Sequence, residues 1–554
     1  MASLSRRGFV RLAGVGLGSA ALGRLLSACS FDTASSTAAT GGRSNAASGA
    51  RPSPASQVIV AMNAESEPAA GFDPLIAWGC GEHVHEPLIQ STLIKTDAAM
   101  GFENDLATSY SCSDDGMTWT FSIRDDVFFT DGAPLTAKDA AFTLNGIINS
   151  RAAQADLSMV KEVVAPDGRT LVLHMAKPFN ALLYTLAVVG IVPAHAYGAD
   201  YGSRPVGSGR YMLESWDKGQ QAILRANPDY YGAAPSIERV VVVFMEEDAA
   251  LAAVRSGQVD IAFTTAVFSG QHIPGYGLLS CKTVDSRGIS LPTRRAGTTK
   301  TDKGAEYPCG NDVTSDVALR RALNYALDRE ALVANVLDGH GSPAFSVSDG
   351  MPWASADMVV ATDRAKAKAL LEEAGWLEGT DGIRRKDARL ASFTLRYPSN
   401  DSVRQGLAAE FSNQMREIGV EVNIKGGSWD ELYSYEYADP ILWGWGSNSP
   451  IELYALNYST GWGNFAGYED PRIDSCLDQA LATPDIKDSY GLWKQAQWDG
   501  SHGIAPQGAA TWVWLANIDH LYFKRTGLNV ADQKPHPHGH GWSLVNNVDR
   551  WTWE

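Results

Sequence analysis

Beyond its first thirty residues the chain has no apolar run long enough to cross a membrane as a helix. Any membrane contact then passes through an anchor or a partner. Basic residues are also in deficit: 46 Lys and Arg stand against 63 Asp and Glu, for a formal net charge of -17. Residues 1–28 hold four arginines and no acid, so their removal takes -17 to -21. A nucleic-acid partner needs a basic face and is excluded on this balance. Six cysteines are present with no CxxC pair, which sets a zinc site behind disulfides or buried thiols. Beyond Cys29, an odd set remains: Cys80, Cys112, Cys281, Cys309 and Cys476, whose pairing the sequence leaves open. No GxSxG elbow, HExxH helix or P-loop occurs, and the GxGxG-like "GVGLG" lies at the extreme N-terminus. No period of 20–50 residues recurs, which excludes a solenoid.

What is present begins with an export leader. Arg6 and Arg7 precede the short apolar run "AGVGLGSAALGRLL", and the paired arginines before an aromatic resemble a Tat signal. The run ends at Leu26-Ser27-Ala28-Cys29, which resembles a bacterial lipobox; Cys29 is then the lipidated first residue of the mature protein. The plainer alternative is an uncleaved amphipathic helix, with Arg24 inside its apolar run. Residues 30–56 are mostly Ser, Ala, Gly and Thr, too polar to offset chain entropy by burial, and predict a flexible tether.

The body alternates strand and helix patterns. "RVVVVFM" (Arg239–Met245) has the branched continuity of a strand buried on both faces, and a helix-like stretch then leads into "VDIAF". Val317, Leu319, Leu323, Ala326, Leu327 and Leu332 predict one helical face. Ser402 and Gln405 fit a capping box ahead of the stripe Val403, Leu407, Phe411, Met415 and Ile418. Gly419 stops that helix, and Val420, Val422 and Ile424 alternate as a strand. The texture is α/β in large lobes.

Four segments in order carry a family resemblance: Glu103 to Leu144, Pro205 to Ile261 with its "GSG" and "NPDYYG" turns, residues 315–344, and "AKALLEEAGW". Together they resemble family 5 of the bacterial extracytoplasmic solute-binding proteins, the peptide/nickel class of ABC importers. The resemblance implies a type II periplasmic-binding-protein fold of the large cluster, with two α/β lobes, an extra subdomain and a ligand cleft between the lobes. It places lobe I at 57–287 plus 515–554, the extra subdomain at about 75–205, and lobe II at 288–514. It also implies a peptide or metal-chelate ligand, permease subunits of the cytoplasmic membrane as partners, a monomer, and no cofactor beyond a metal carried within the ligand. The location implied is the outer face of the cell membrane or the periplasm.

Within that resemblance "LWGWGSNSPIELY" falls in the second lobe facing the cleft. Trp443 and Trp445 become its flat walls. Asn448 stands where many peptide-binding relatives carry an aspartate for the α-ammonium, and an amide cannot neutralise that charge. "YPSNDSVRQGLA", "GGSWDELY" and "SNSPIELY" look like the branch labelled nickel or metallophore import, where Arg404 clamps a carboxylate-rich ligand bidentately. Arg287 and Arg396 are further candidates, and surface or inter-lobe salt bridges are the plainer reading of all three. Glu452, Tyr454, Trp462 and Asn464 complete the expected cleft. "GCGEHVHEP" holds His83 and His85; "PHPHGHGW" holds His536, His538 and His540, which can converge on a divalent metal or form a solvated proline-rich segment. An exported hydrolase and an adhesive lipoprotein are the competing classes; the first lacks a catalytic motif, and the second leaves the Trp-Gly-Trp loop without a purpose.

Overall fold

The computed structural model describes residues 54–554 apart from 77–78, 81–82, 98–99, 151, 301–305 and 540. Arg6, Arg7 and Cys29, most of the tether, and His540 lie outside the described residues.

Two sheets organise two lobes. The first has seven strands in the order Tyr211–Asp217, Gln221–Ala226, Arg239–Met245, Gln57–Asn63, Ile261–Thr264, His520–Arg525, Tyr276–Cys281. Arg239–Met245 runs parallel to Gln57–Asn63, and Val240, Val241 and Val242 are all buried, as a branched run covered on both faces requires. The second sheet has six: Gly341–Pro343, Trp512–Ile518, Ser286–Ser290, Ile441–Trp445, Ser392–Pro398, Glu421–Gly427. A four-stranded antiparallel sheet (Ala107–Cys112, Thr118–Ile123, Thr170–Met175, Val160–Val164) and the helix Ala137–Asn149 form a smaller unit. Its apolar core runs on into that of the second lobe.

The chain leaves the first sheet after Cys281 and enters the second at Ser286; it returns at Asp519. Lobe boundaries at 287/288 and 514/515 therefore cut two strands that belong wholly to the second sheet. A third connection is non-covalent. The C-terminal segment lies along the crossing, with Val284 N–H donating to His536 O (2.9 Å) and His538 N–H to Gly446 O (2.7 Å). Asn400 Nδ2 donates to Glu65 Oε1 (2.9 Å) and Ser402 Oγ to Glu247 Oε2 (2.9 Å), so the lobes touch directly.

Two local expectations change. The segment from Val317 is two helices, Val317–Ala326 and Arg329–Leu337, because Asp328 caps the second by accepting from Ala331 N–H (3.0 Å). Helix Ser402–Arg416 is capped by Asp401, whose Oδ1 accepts from Arg404 N–H (2.8 Å); Ser402 is thereby released to reach the other lobe. Gly419 ends that helix at φ +80°, the left-handed conformation glycine adopts without strain. Ile424 is exposed although Val422 on the same face is buried, because Glu421–Gly427 is an edge strand that outruns its cover.

Candidate functional site

The Trp-Gly-Trp stretch is the strand Ile441–Trp445, paired on one side with Ser286–Ser290 and on the other with Ser392–Pro398. Period-two alternation puts both indoles on one face and Gly444 on the other. Trp443 stacks on Phe465 (centroids 4.3 Å apart, planes 11°) and beside Trp429 (5.9 Å), while its Nε1–H donates to Ser290 Oγ (2.9 Å). Trp445 packs against Phe465 (6.1 Å) and Trp462 (5.5 Å). Each of the two strand indoles is 3% exposed. They form an aromatic core whose outer member, Trp462, is 37% exposed and reaches the cleft.

The Gly444 face carries charge. A Cβ there would meet His538 Cε1 at 2.4 Å, Arg404 Nη2 at 2.5 Å and Arg287 Nη1 at 2.7 Å, so only glycine leaves room for the three cationic or imidazole heads. Asp285, fully buried, accepts from Arg287, bonds His538 Nδ1 through Oδ1 (2.6 Å) and faces His520 Nε2 through Oδ2 (2.9 Å). Burial opposes its charge, but Arg287 and His538 hold the carboxyl well below the usual range. Arg404 pairs with Asp401 in the same layer, and burial together with Arg287 lowers its pKa. Arg396 pairs with Asp439 (2.6 Å) and Glu431 (3.2 Å) over the ring of Tyr435. None of these arginines lines the cleft; their electrostatic partners are the protein's own carboxylates, so the expected Arg404 clamp is corrected to an internal pair.

A cavity of ≈ 190 Å³ opens between the lobes and the smaller unit. From the second lobe, Asn448, Glu452 and Trp462 line it; from the first come His85, Glu86, Lys534 and His538; from the smaller unit, Asp156 and Tyr184. Trp443, Trp445, Tyr454 and Asn464 are not among its walls. Tyr454 instead stacks on Tyr458 (4.4 Å), and Asn464 ties its loop by donating to Tyr468 O (2.8 Å) and accepting from Tyr468 N–H (3.2 Å). Asn448 Nδ2 donates to Pro535 O (3.4 Å), an acceptor that fixes the amide's orientation. Its Oδ1 is buried and finds no partner among the described residues. Glu452 accepts from Gly446 N–H; burial pushes its carboxyl up to about 8 despite that bond, and Asp285 adds to the rise. Lys534, the one lysine or arginine lining the cavity among the described residues, pairs with Glu86 and donates to Thr96 Oγ1 (2.9 Å). Sequence reasoning missed Glu86, Asp156, Tyr184 and Lys534; the only hint was that Glu86 and Lys534 adjoin the two histidine runs.

Of the C-terminal histidines, His536 and His538 point to different partners. His536 is fully buried against His520 (3.1 Å) and Gln533 (3.1 Å), whereas His538 turns to Asp285. His85 Nδ1 meets Ser543 Oγ (3.1 Å); burial, with His538 and His520 nearby, pushes its pKa down to about 3. Among the described residues no group of three or more His, Cys, Asp or Glu side chains is placed to hold a metal ion. Cys112, Cys281, Cys309 and Cys476 are free thiols.

Comparison with known proteins gives the same architecture. Protein XP55 of Streptomyces lividans is 32% identical over 485 residues, covering 84% of each chain. The oligopeptide-binding protein AppA of Bacillus subtilis is 26% identical over 501 residues, covering 84% of this chain and 86% of its own. NikZ from Campylobacter jejuni, solved in complex with Ni(L-His), shares the fold at a TM-score of 0.74 and 24% identity, covering 90% of this chain and 100% of its own. The profile of bacterial extracellular solute-binding proteins, family 5, matches residues 101–467, and with most of the chain so accounted for, this protein belongs to that family.

Proposed function

We propose that the protein captures a small solute, a peptide or a metal chelate, in the cleft between its lobes and delivers it to the permease of an ABC importer. Capture is non-covalent and needs no cofactor. Lobe closure makes the loaded state recognisable to the membrane partner. The leader exports the chain, and lipidation at Cys29 tethers it to the outer face of the membrane. The observation that carries the reading is the inter-lobe cavity itself, with an exposed indole edge at Trp462 and the acceptor Asn448 Oδ1, which has no partner among the described residues. An aromatic platform beside a buried polar acceptor is what a ligand-shaped site presents.

Trp462→Ala is expected to weaken binding of the co-purifying ligand about thirtyfold, the loss of roughly 2 kcal/mol of buried aromatic surface. Denaturation should shift by under about 1 kcal/mol, because the side chain is partly exposed already. Isothermal titration alongside urea unfolding checks both arms; unchanged affinity would remove Trp462 from the site.

One observation favours the metal-chelate reading. His85 Nε2 is buried, lines the cavity through its residue and has no partner among the described residues. With Nδ1–H donating to Ser543 Oγ, Nε2 offers a lone pair to a metal carried by the ligand. His85→Ala should then lower affinity for nickel with two equivalents of L-histidine at least tenfold, and leave tetrapeptide binding unaltered.

A further inference from the structure

The lobes also meet away from the cavity. Glu65 follows the strand Gln57–Asn63, and Glu247 opens the helix Glu247–Arg255 just past the strand Arg239–Met245. Those two strands are parallel neighbours in the first sheet, so both acids leave it at the same end. Facing them from the second lobe is the turn Asn400-Asp401-Ser402, between the strand Ser392–Pro398 and the helix Ser402–Arg416. Ser402 gives Glu247 two bonds: its Oγ–H donates to Oε2 (2.9 Å), and its backbone N–H donates to the same carboxyl. Asn400 Nδ2 donates to Glu65 Oε1 (2.9 Å). Glu65, Glu247, Asn400 and Ser402 are all absent from the cavity wall.

From this geometry we propose that Glu247 and Ser402 form a latch that holds the lobes together around the solute, positioning residues for capture that never touch what is captured. The inference rests on the capture reading and adds to it the residues that set how long a solute is held. The cavity has walls from both lobes, and the Glu247–Ser402 contact is made in that same arrangement. Ser402 is spare for the purpose. Asp401 already caps its helix, accepting from Arg404 N–H (2.8 Å), so the serine hydroxyl has no local task and reaches across instead.

The energetics suit a contact that forms and breaks. Burial raises the Glu247 carboxyl, Asp401 and Asp248 add to the rise, and only the two Ser402 bonds oppose it. When the lobes part, the acid regains water in exchange for those bonds, so the net gain from latching is small and reversible. The turn is also tied to the cavity. Asp401 pairs with Arg404, whose head shares the layer over Gly444 with His538, and His538 is a cavity wall. Packed side chains thus run from the wall a solute touches to the turn that carries Ser402. The second bond, Asn400 to Glu65, joins two exposed residues and adds little.

The test uses the full chain and two probes, nickel with two equivalents of L-histidine and an equimolar pool of unblocked tetrapeptides. Stopped-flow tryptophan fluorescence follows whichever probe raises the wild-type melting temperature. Ser402→Ala is expected to release it about fivefold faster with association unchanged, since one bond to a carboxylate is lost. Glu247→Ala loses both bonds and should release it about tenfold faster. The double variant should be no faster than Glu247→Ala, the mark of one shared contact. Ser402→Thr keeps the hydroxyl and should restore slow release, whereas Asn400→Ala should change release less than about twofold. Without probe, each variant should melt within about 2 °C of wild type, because the contact lies between lobes rather than in a core. Wild-type release rates in Ser402→Ala and Glu247→Ala, additive effects in the double variant, or no rescue by Ser402→Thr overturns the latch while capture in the cleft stands. If neither probe raises the wild-type melting temperature, the capture reading falls and the latch with it.

Discussion

Arg287→Ala is expected to lower the stability of the fold by about 3–5 kcal/mol, the range seen when one member of a buried ion pair is removed. Asp285 is fully buried and Arg287 is the strongest support of its charge. Without the guanidinium, the buried carboxylate keeps only its contacts with His520 and His538. Arg287→Lys restores the charge but not the flat head that fits over Gly444. Urea unfolding checks the prediction. A variant with wild-type stability and impaired ligand binding would return Arg287 to the recognition site.

Trp443→Ala is the second large effect, a loss of about 3–5 kcal/mol. The indole is 3% exposed, stacks at 4.3 Å on Phe465 and holds Ser290 through its Nε1–H. Its removal leaves a void between the two rings that remain and an unsatisfied hydroxyl beneath them. Trp443→Phe should recover part of the packing but not the hydrogen bond. Thermal unfolding with tryptophan fluorescence reads both variants; a stable Trp443→Ala protein that no longer binds ligand would make this indole a cleft wall after all.

These two residues show what the sequence makes legible and what it hides. A Trp-Gly-Trp stretch announces an aromatic site, yet its strand sits between two others and is buried on both faces, so the indoles meet protein rather than solute. Strand position within a sheet is not written locally. The glycine between them is explained by Arg287, Arg404 and His538, brought over it from three distant parts of the chain. Arg404 looked like a ligand clamp because "YPSNDSVRQGLA" resembles the metallophore branch; its partner Asp401, three residues earlier, is both helix cap and counter-ion. Where periodicity was strong, local structure followed it: Arg239–Met245 is a strand and Ser402–Arg416 a helix ended by Gly419. Asn448 and Glu452, named from the family resemblance, line the cavity just past a strand end, where backbone leaves the sheet and side chains open to the cleft. Glu86 and Lys534 pair over hundreds of residues, and no spacing rule could bring them together.

Native mass spectrometry of the full chain purified from its own host tests the central claim, solute capture in the inter-lobe cleft, most directly. The account predicts a one-to-one non-covalent adduct that leaves under mild activation and is depleted in Trp462→Ala. A wild-type protein that emerges only at its bare mass, and whose melting temperature no peptide pool or nickel chelate raises, would contradict it.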